Sequence, residues 1–215
     1  MIEVHPPTEP VHGWRDFLVH LLTITIGLVI ALSLEGCVEW RHHRQLVREA
    51  VSSLQGEIKA NAEKSSGALE DIRKEQETLK KDMAVMRRII ANPKTPNHEE
   101  MTIAFRIRTF DDVSWRTAQS TGALGYMEYE RAHEYSNLYD YQNEIYLAEQ
   151  QAVRDTVLAI GPFLNLKKDE ANPSGEEAVR VKEHFEVLQG QLMYLEDGVA
   201  RLDVEYKKFL AAHPQ

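Results

Sequence analysis

Few side chains in this 215-residue chain are of a type and spacing to do chemistry. Glu130-Arg131-Ala132-His133 puts a carboxylate and an imidazole three residues apart, which on a helix is one face. Helical di-metal bundles use two such pairs plus two further carboxylates. The other Glu-x-x-His pair, Glu39 to His42, directly follows a long apolar run far from the first, so the two do not combine into a centre. No metal and no other cofactor is expected. Cys37 is the single cysteine, with Glu35 and Glu39 close by to disfavour its thiolate. One cysteine also excludes an intramolecular disulfide framework. Gly122-Ala123-Leu124-Gly125 has neither the spacing nor the following lysine of a phosphate loop, and no G-x-S-x-G nucleophile elbow occurs. The expectation is a protein without enzymatic activity and without catalytic residues.

Two clusters remain as binding candidates. Tyr126, Tyr129, Tyr135, Tyr139, Tyr141 and Tyr146 crowd one stretch. They could line a groove for a ligand or partner, since tyrosine joins apolar area to a hydrogen-bonding tip. They could equally pack helices, some at a core edge and some in solvent. A binding surface in the polar part of the chain belongs here, near Trp115, Tyr139 and the Ser120–Leu124 turn. His42-His43-Arg44 could sense pH or meet anionic headgroups, although an interfacial anchor explains these residues as well.

The elements that must position these groups start with one apolar stretch. Residues 17–34 (FLVHLLTITIGLVIALSL) hold no Asp, Glu, Lys or Arg. At 1.5 Å per residue they make about 27 Å of helix, close to the hydrocarbon thickness of a bilayer. Trp14 and Arg15 before the run, and Trp40, Arg41 and Arg44 after it, are the expected interface anchors. His20 is expected to reach back to the interface near Trp14. The Pro-containing start (residues 1–16) lacks the basic cluster of a cleaved leader, and Leu34-Glu35-Gly36-Cys37 is a poor lipoprotein signal because of its glutamate. An uncleaved transmembrane helix over 17–40, with its interfacial flank, is therefore expected. Thr23, Gly27, Ala31 and Glu35 recur every fourth residue, a small-residue stripe on which such helices associate. Arg41, Arg44 and Arg48 outnumber Arg15, so positive-inside counting puts the C-terminal domain in the cytoplasm.

Residues 41–213 read as a helical bundle with loops near 92–98, 122–125 and 166–176. A long helix follows the span, with a stripe at Val47, Val51, Leu54, Ile58, Asn61, Ser65, Ala68, Ile72, Leu79, Met83, Met86 and Ile90 and a register slip at Glu75 or Gln76. Residues 99–109 are compatible with helix or strand. Asp111 or Asp112 is a candidate N-cap for a short helix ending near Gly122. A further helix starts near Tyr126, with a stripe through Tyr135, Leu138, Tyr139, Gln142, Ile145, Ala152, Val153, Val157 and Ile160, and is ended or bent by Gly161-Pro162. The last segment keeps a heptad seam from Ala178 and Val181 through Phe185, Leu192 and Leu202 to Phe209. It must bury that seam, and the preceding Tyr-rich helix, running antiparallel, is its simplest partner. The fold class expected is all-α: a transmembrane helix continuing into a long helix, then an antiparallel, coiled-coil-like bundle.

The net charge of −9, with 25 Lys plus Arg against 34 Asp plus Glu, argues against a nucleic-acid partner. The lipid bilayer and further copies of the chain are the partners expected. Two stretches, residues 23–50 (TITIGLVIALSLEGCVEWRHHRQLVREA) and Ser114–Leu124 followed by Leu138-Tyr139, resemble a group of uncharacterised, single-span bacterial membrane proteins with a C-terminal helical domain. The resemblance implies a bacterial inner (plasma) membrane location and an all-helical fold, and it implies no mechanism. The non-basic start departs from relatives with a strongly basic N-terminus, which bears on orientation. A membrane-anchored, self-associating scaffold or interaction protein is the function expected. The alternatives are a sensory or ligand-binding bundle with a pocket near Trp115 and Tyr139 and, behind it, a metal-dependent enzyme using Glu130 and His133.

Overall fold

The computed structural model describes residues 13–94, 108–164 and 172–214. Among them the chain is helical, without a strand: α1 is Trp14–Ala91, α2 Val113–Ser120, α3 Tyr129–Leu164 and α4 Gly175–Ala212, with a 3-10 turn at Ala123–Tyr126 between α2 and α3. The chain divides into two units, residues 1–49 and residues 50–215.

In the first unit, α1 is long and apolar enough to cross a membrane, and none of its most apolar window is buried. Its hydroxyls are satisfied locally. Thr23 Oγ1 donates to the Val19 carbonyl at 2.9 Å, Thr25 to Leu21 at 2.8 Å and Ser33 to Val29 at 2.6 Å. A hydroxyl that bonds its own helix leaves no orphan donor to solvate, which is what an apolar solvent requires.

In the second unit, α1 obeys a different pattern. Leu54, Ile58, Asn61, Ser65, Ala68, Ile72, Leu79, Asp82, Met86 and Ile89 are buried, and half-buried Glu75 sits between Ile72 and Leu79. These positions alternate by four and three without interruption, so the expected slip at Glu75 or Gln76 is absent. Acidic residues at two seam positions, Glu75 and Asp82, made an unbroken seam look broken. In consequence Met83 and Ile90, expected inside, are only half-buried, and Asp82 and Ile89 take their places.

Three long helices form this unit. Gln191 of α4 hydrogen-bonds Asp155 of α3, and Tyr141 of α3 donates to the Gly198 carbonyl at 3.2 Å, so α3 and α4 run antiparallel, as their seams predict. Ser65 of α1 meets Asp203 of α4, and Arg73 meets Glu196 at 2.8 Å, an antiparallel pairing again. Asn61 and Gln142 fix α1 and α3 in parallel. Phe185, Leu192, Leu195, Leu202 and Tyr206 fill the centre from α4, each side chain contributing roughly 1.5–3 kcal/mol of transfer free energy.

α3 keeps a strict seam at Tyr135, Leu138, Gln142, Ile145, Glu149, Ala152, Thr156 and Ala159. Val153 and Val157, expected inside, are exposed, and Ile160 is half-buried. α3 and α4 approach closely at Gly198, where an added Cβ would strike Ile145. Helix packing selects positions by spacing and size before it selects by hydrophobicity. The start of α3 is also later than expected, because the 3-10 turn occupies Ala123–Tyr126. Its end passes Gly161 and Pro162 to reach Leu164. Of the expected helix or strand over 99–109, residues 99–107 lie outside the described residues, and 108 and 109 are irregular.

Candidate ligand-binding cavity

Since α3 runs parallel to α1, the chain must come back from Ala91 before α3 begins. The Arg108 guanidinium pairs with Asp71 of α1 at 3.1 Å. α1 rises about 45 Å between Asn61 and Ala91, and Asp111 lies back beside Asn61, most of the way down the bundle. There a polar knot fixes it. The buried Asn61 amide donates to the Asp111 carbonyl at 2.8 Å and accepts from the Asp111 N–H at 2.9 Å. Gln142 Nε2 donates to the same carbonyl at 2.9 Å, and Tyr206 donates to Gln142 Oε1 at 2.6 Å. One backbone residue is thereby tied to α1, to α3 and, through Gln142, to α4. Burial raises the Tyr206 pKa, so its hydroxyl stays a donor.

The knot positions α2. Asp112 stands at the N-cap position but makes no side-chain cap bond; it pairs with Arg116 at 3.0 Å. The capping function passes to α1, where Glu57 Oε2 accepts from the Ser114 N–H at 2.8 Å. The expectation that Asp111 or Asp112 caps with its own side chain is corrected on this point. A carboxylate at a helix start also suits the helix dipole. Glu57 Oε1 accepts from Tyr139 at 2.7 Å, and burial together with this bond raises the Tyr139 pKa well beyond the phenol range. Trp115 then stacks on Tyr139, with centroids 5.1 Å apart and planes 6° from parallel. Such stacking is worth about 0.5–1.5 kcal/mol beyond area burial. Gly122, at φ 73°, turns the chain after α2 in a conformation that favours glycine.

Between α2 and α3 this arrangement leaves a cavity of about 490 Å³, within the size range of small-molecule sites. Phe110, Trp115, Tyr139 and Tyr146 supply its aromatic surface, and Asp112, Arg116, Asp140 and Asn143 are among its polar groups. Glu149 also lines it, 8% exposed and without a hydrogen-bond or ion-pair partner among the described residues. Burial pushes its carboxyl above the ordinary glutamate pKa.

The other sequence candidates are placed differently. Trp14, Arg15, Thr23, Gly27, Ala31, Glu35, Trp40, Arg41 and Arg44 are all exposed on α1. The Arg44 guanidinium lies over the Trp40 ring at 5.1 Å, and Gly27 has open space around it. Cys37 is exposed. Glu130 and His133 are exposed too; His133 stacks on Tyr129 and lies 3.3 Å from the Asn137 amide. Among the described residues no group of three or more His, Cys, Asp or Glu gathers as metal ligands do. The tyrosine run splits as helix packing requires, with Tyr135 and Tyr139 buried and Tyr126, Tyr129 and Tyr146 exposed. Sequence reasoning found Trp115 and Tyr139 and missed Glu57 and Glu149. Glu149 carried a signal, a carboxylate four residues after Ile145 in the seam; Glu57 carried none.

The chain matches no protein-family model, and no curated protein and no solved structure is found to be similar to it.

Proposed function

We propose that this is a single-pass protein of a bacterial inner (plasma) membrane, in which the start of α1 anchors a non-enzymatic helical bundle that serves as a scaffold or interaction module. The observation that carries the reading is the apolar window of α1, which is uncharged, unburied and internally hydrogen-bonded. A helix apolar on every side belongs in a core or in lipid. The resemblance to uncharacterised single-span bacterial proteins agrees with it. Arg41, Arg44 and Arg48 favour a cytoplasmic bundle. Self-association is supported by the open Thr23–Gly27–Ala31 stripe, which lets two helices approach closely in lipid. The test is the oligomeric state of the full chain in mild detergent. Oligomers should weaken when Gly27 and Ala31 are both replaced by leucine; unchanged oligomers reject association through this stripe. Recovery of the chain in the supernatant after detergent-free ultracentrifugation rejects the anchor itself.

A second reading, a membrane-bound bundle that binds a small ligand, is favoured by the cavity beside Trp115 and Tyr139.

A further inference from the structure

Several charged side chains of the bundle are already paired. Arg73 is held by Glu196, Lys64 by Asp111, Lys207 by Asp203 and Arg116 by Asp112. Glu149 is a buried carboxylate that is not among them. It is more than nine-tenths buried, it has no protein partner, and its side chain lines the α2–α3 cavity. A carboxylate taken from water without a donor is costly, and the cost is removed when a donor or a cation arrives.

The cavity also states what kind of group fits. Its aromatic walls, Trp115 and Tyr146 among them, suit an apolar body and attract positive charge to the ring faces. Asp140 adds a second acid at the wall, hydrogen-bonded only weakly by Ser136 at 3.4 Å. Among the described residues Arg116 is the one lining cation, and it is neutralised by Asp112. We propose that the cavity binds a small organic ammonium ion, its apolar body against Trp115 and Tyr146 and its charge toward Glu149. This inference rests on the ligand-binding reading and gives it a ligand class.

The test is isothermal titration calorimetry on the full chain in detergent with three probes of nearly equal shape: 2-phenylethylammonium, 3-phenylpropionate and 2-phenylethanol. The ammonium probe should bind most tightly. Glu149→Gln, which keeps the side chain's size and removes its charge, should weaken it by about tenfold or more. Trp115→Ala should weaken all three probes, while Asp140→Asn should weaken the ammonium probe less than Glu149→Gln does. Melting curves of each variant establish that the bundle remains folded. Equal or tighter binding of the carboxylate or the alcohol overturns the ammonium assignment and leaves a ligand site standing. So does ammonium affinity unchanged in the folded Glu149→Gln chain. Binding of none of the three overturns the assignment and the ligand-binding reading together.

Discussion

Residues 17–34 and residues 54–89 lie on the same helix and follow opposite rules. The first set is apolar on every side, with its hydroxyls turned back onto its own carbonyls. The second is apolar only along a seam of alternating four- and three-residue steps, and it spends its polar side chains on other segments of the bundle: Asn61 on Asp111 and Gln142, Glu57 on Tyr139 and Ser114, Ser65 on Asp203. Backbone hydrogen bonding is identical in both, so the helix itself does not decide its surroundings. Side-chain distribution does: an all-round apolar surface needs an apolar solvent, and a narrow seam needs neighbouring helices.

The largest predicted effect separates the two regions. Phe185 is fully buried in the bundle, and Phe185→Ala should destabilise it by about 3–5 kcal/mol. Leu28, 58% exposed in the apolar run, should tolerate alanine with a change below about 0.5 kcal/mol in bundle stability. Thermal unfolding of the full chain in detergent, followed by circular dichroism, reads both. Equal losses would mean that the apolar run takes part in the bundle's cooperative unfolding.

Next comes the tight contact of α3 with α4. Gly198→Ala places a methyl against the end of Ile145, which should cost about 1–3 kcal/mol. Shortening the neighbour as well, with Ile145→Val, should return part of that loss, since the two changes share one contact. An additive double mutant would show that the helices simply move apart.

How much of this could be read from the sequence depends on what each residue answers to. The seam of α4 was legible because Val181, Phe185, Leu188 and Leu192 are apolar wherever spacing demands burial. The apolar run was legible by length and lack of charge. The seams of α1 and α3 were misread where spacing and polarity disagree, at Glu75, Asp82, Glu149 and Thr156. There the packing geometry overrode the apolar alternatives Met83, Ile90, Val153 and Val157. The cavity was located by Trp115 and Tyr139, yet Glu149 was not, because a carboxylate at a seam position reads as an error in a periodic pattern. Glu57 could not be found at all: its partners, Ser114 and Tyr139, are distant in sequence and meet it only after the return past Ala91.

Glu149 allows the seam rule to be tested from the polar side. Its carboxyl is held above the ordinary value of 4.5 by burial, so the folded chain binds this proton more tightly than the unfolded one. Stability from this group is fully present below the unfolded value and is lost as pH rises through the folded one. Glu149→Gln should therefore stabilise the unliganded bundle at neutral pH, by about 1–2 kcal/mol, and the gain should shrink toward zero below pH 4.5. Melting temperatures of both chains across that range decide the point. A gain that does not change with pH would assign the effect to packing.

The smallest effect belongs to the start of α4, where local chemistry alone is at stake. Ser174 accepts a hydrogen bond from the Glu177 N–H at 3.3 Å, and Glu177 Oε2 accepts from the Ser174 N–H at 2.9 Å, a reciprocal capping box. The spacing Ser174-Gly175-Glu176-Glu177 carries that motif in plain sequence. The bonds from Ser174 lower the Glu177 pKa. Ser174→Ala should cost about 1 kcal/mol, far less than Phe185→Ala. The loss should appear first as faster amide exchange in the first turn of α4, because a helix end frays locally before the seam behind it opens. Exchange quickened equally along all of α4 would instead make the cap part of the bundle's global stability.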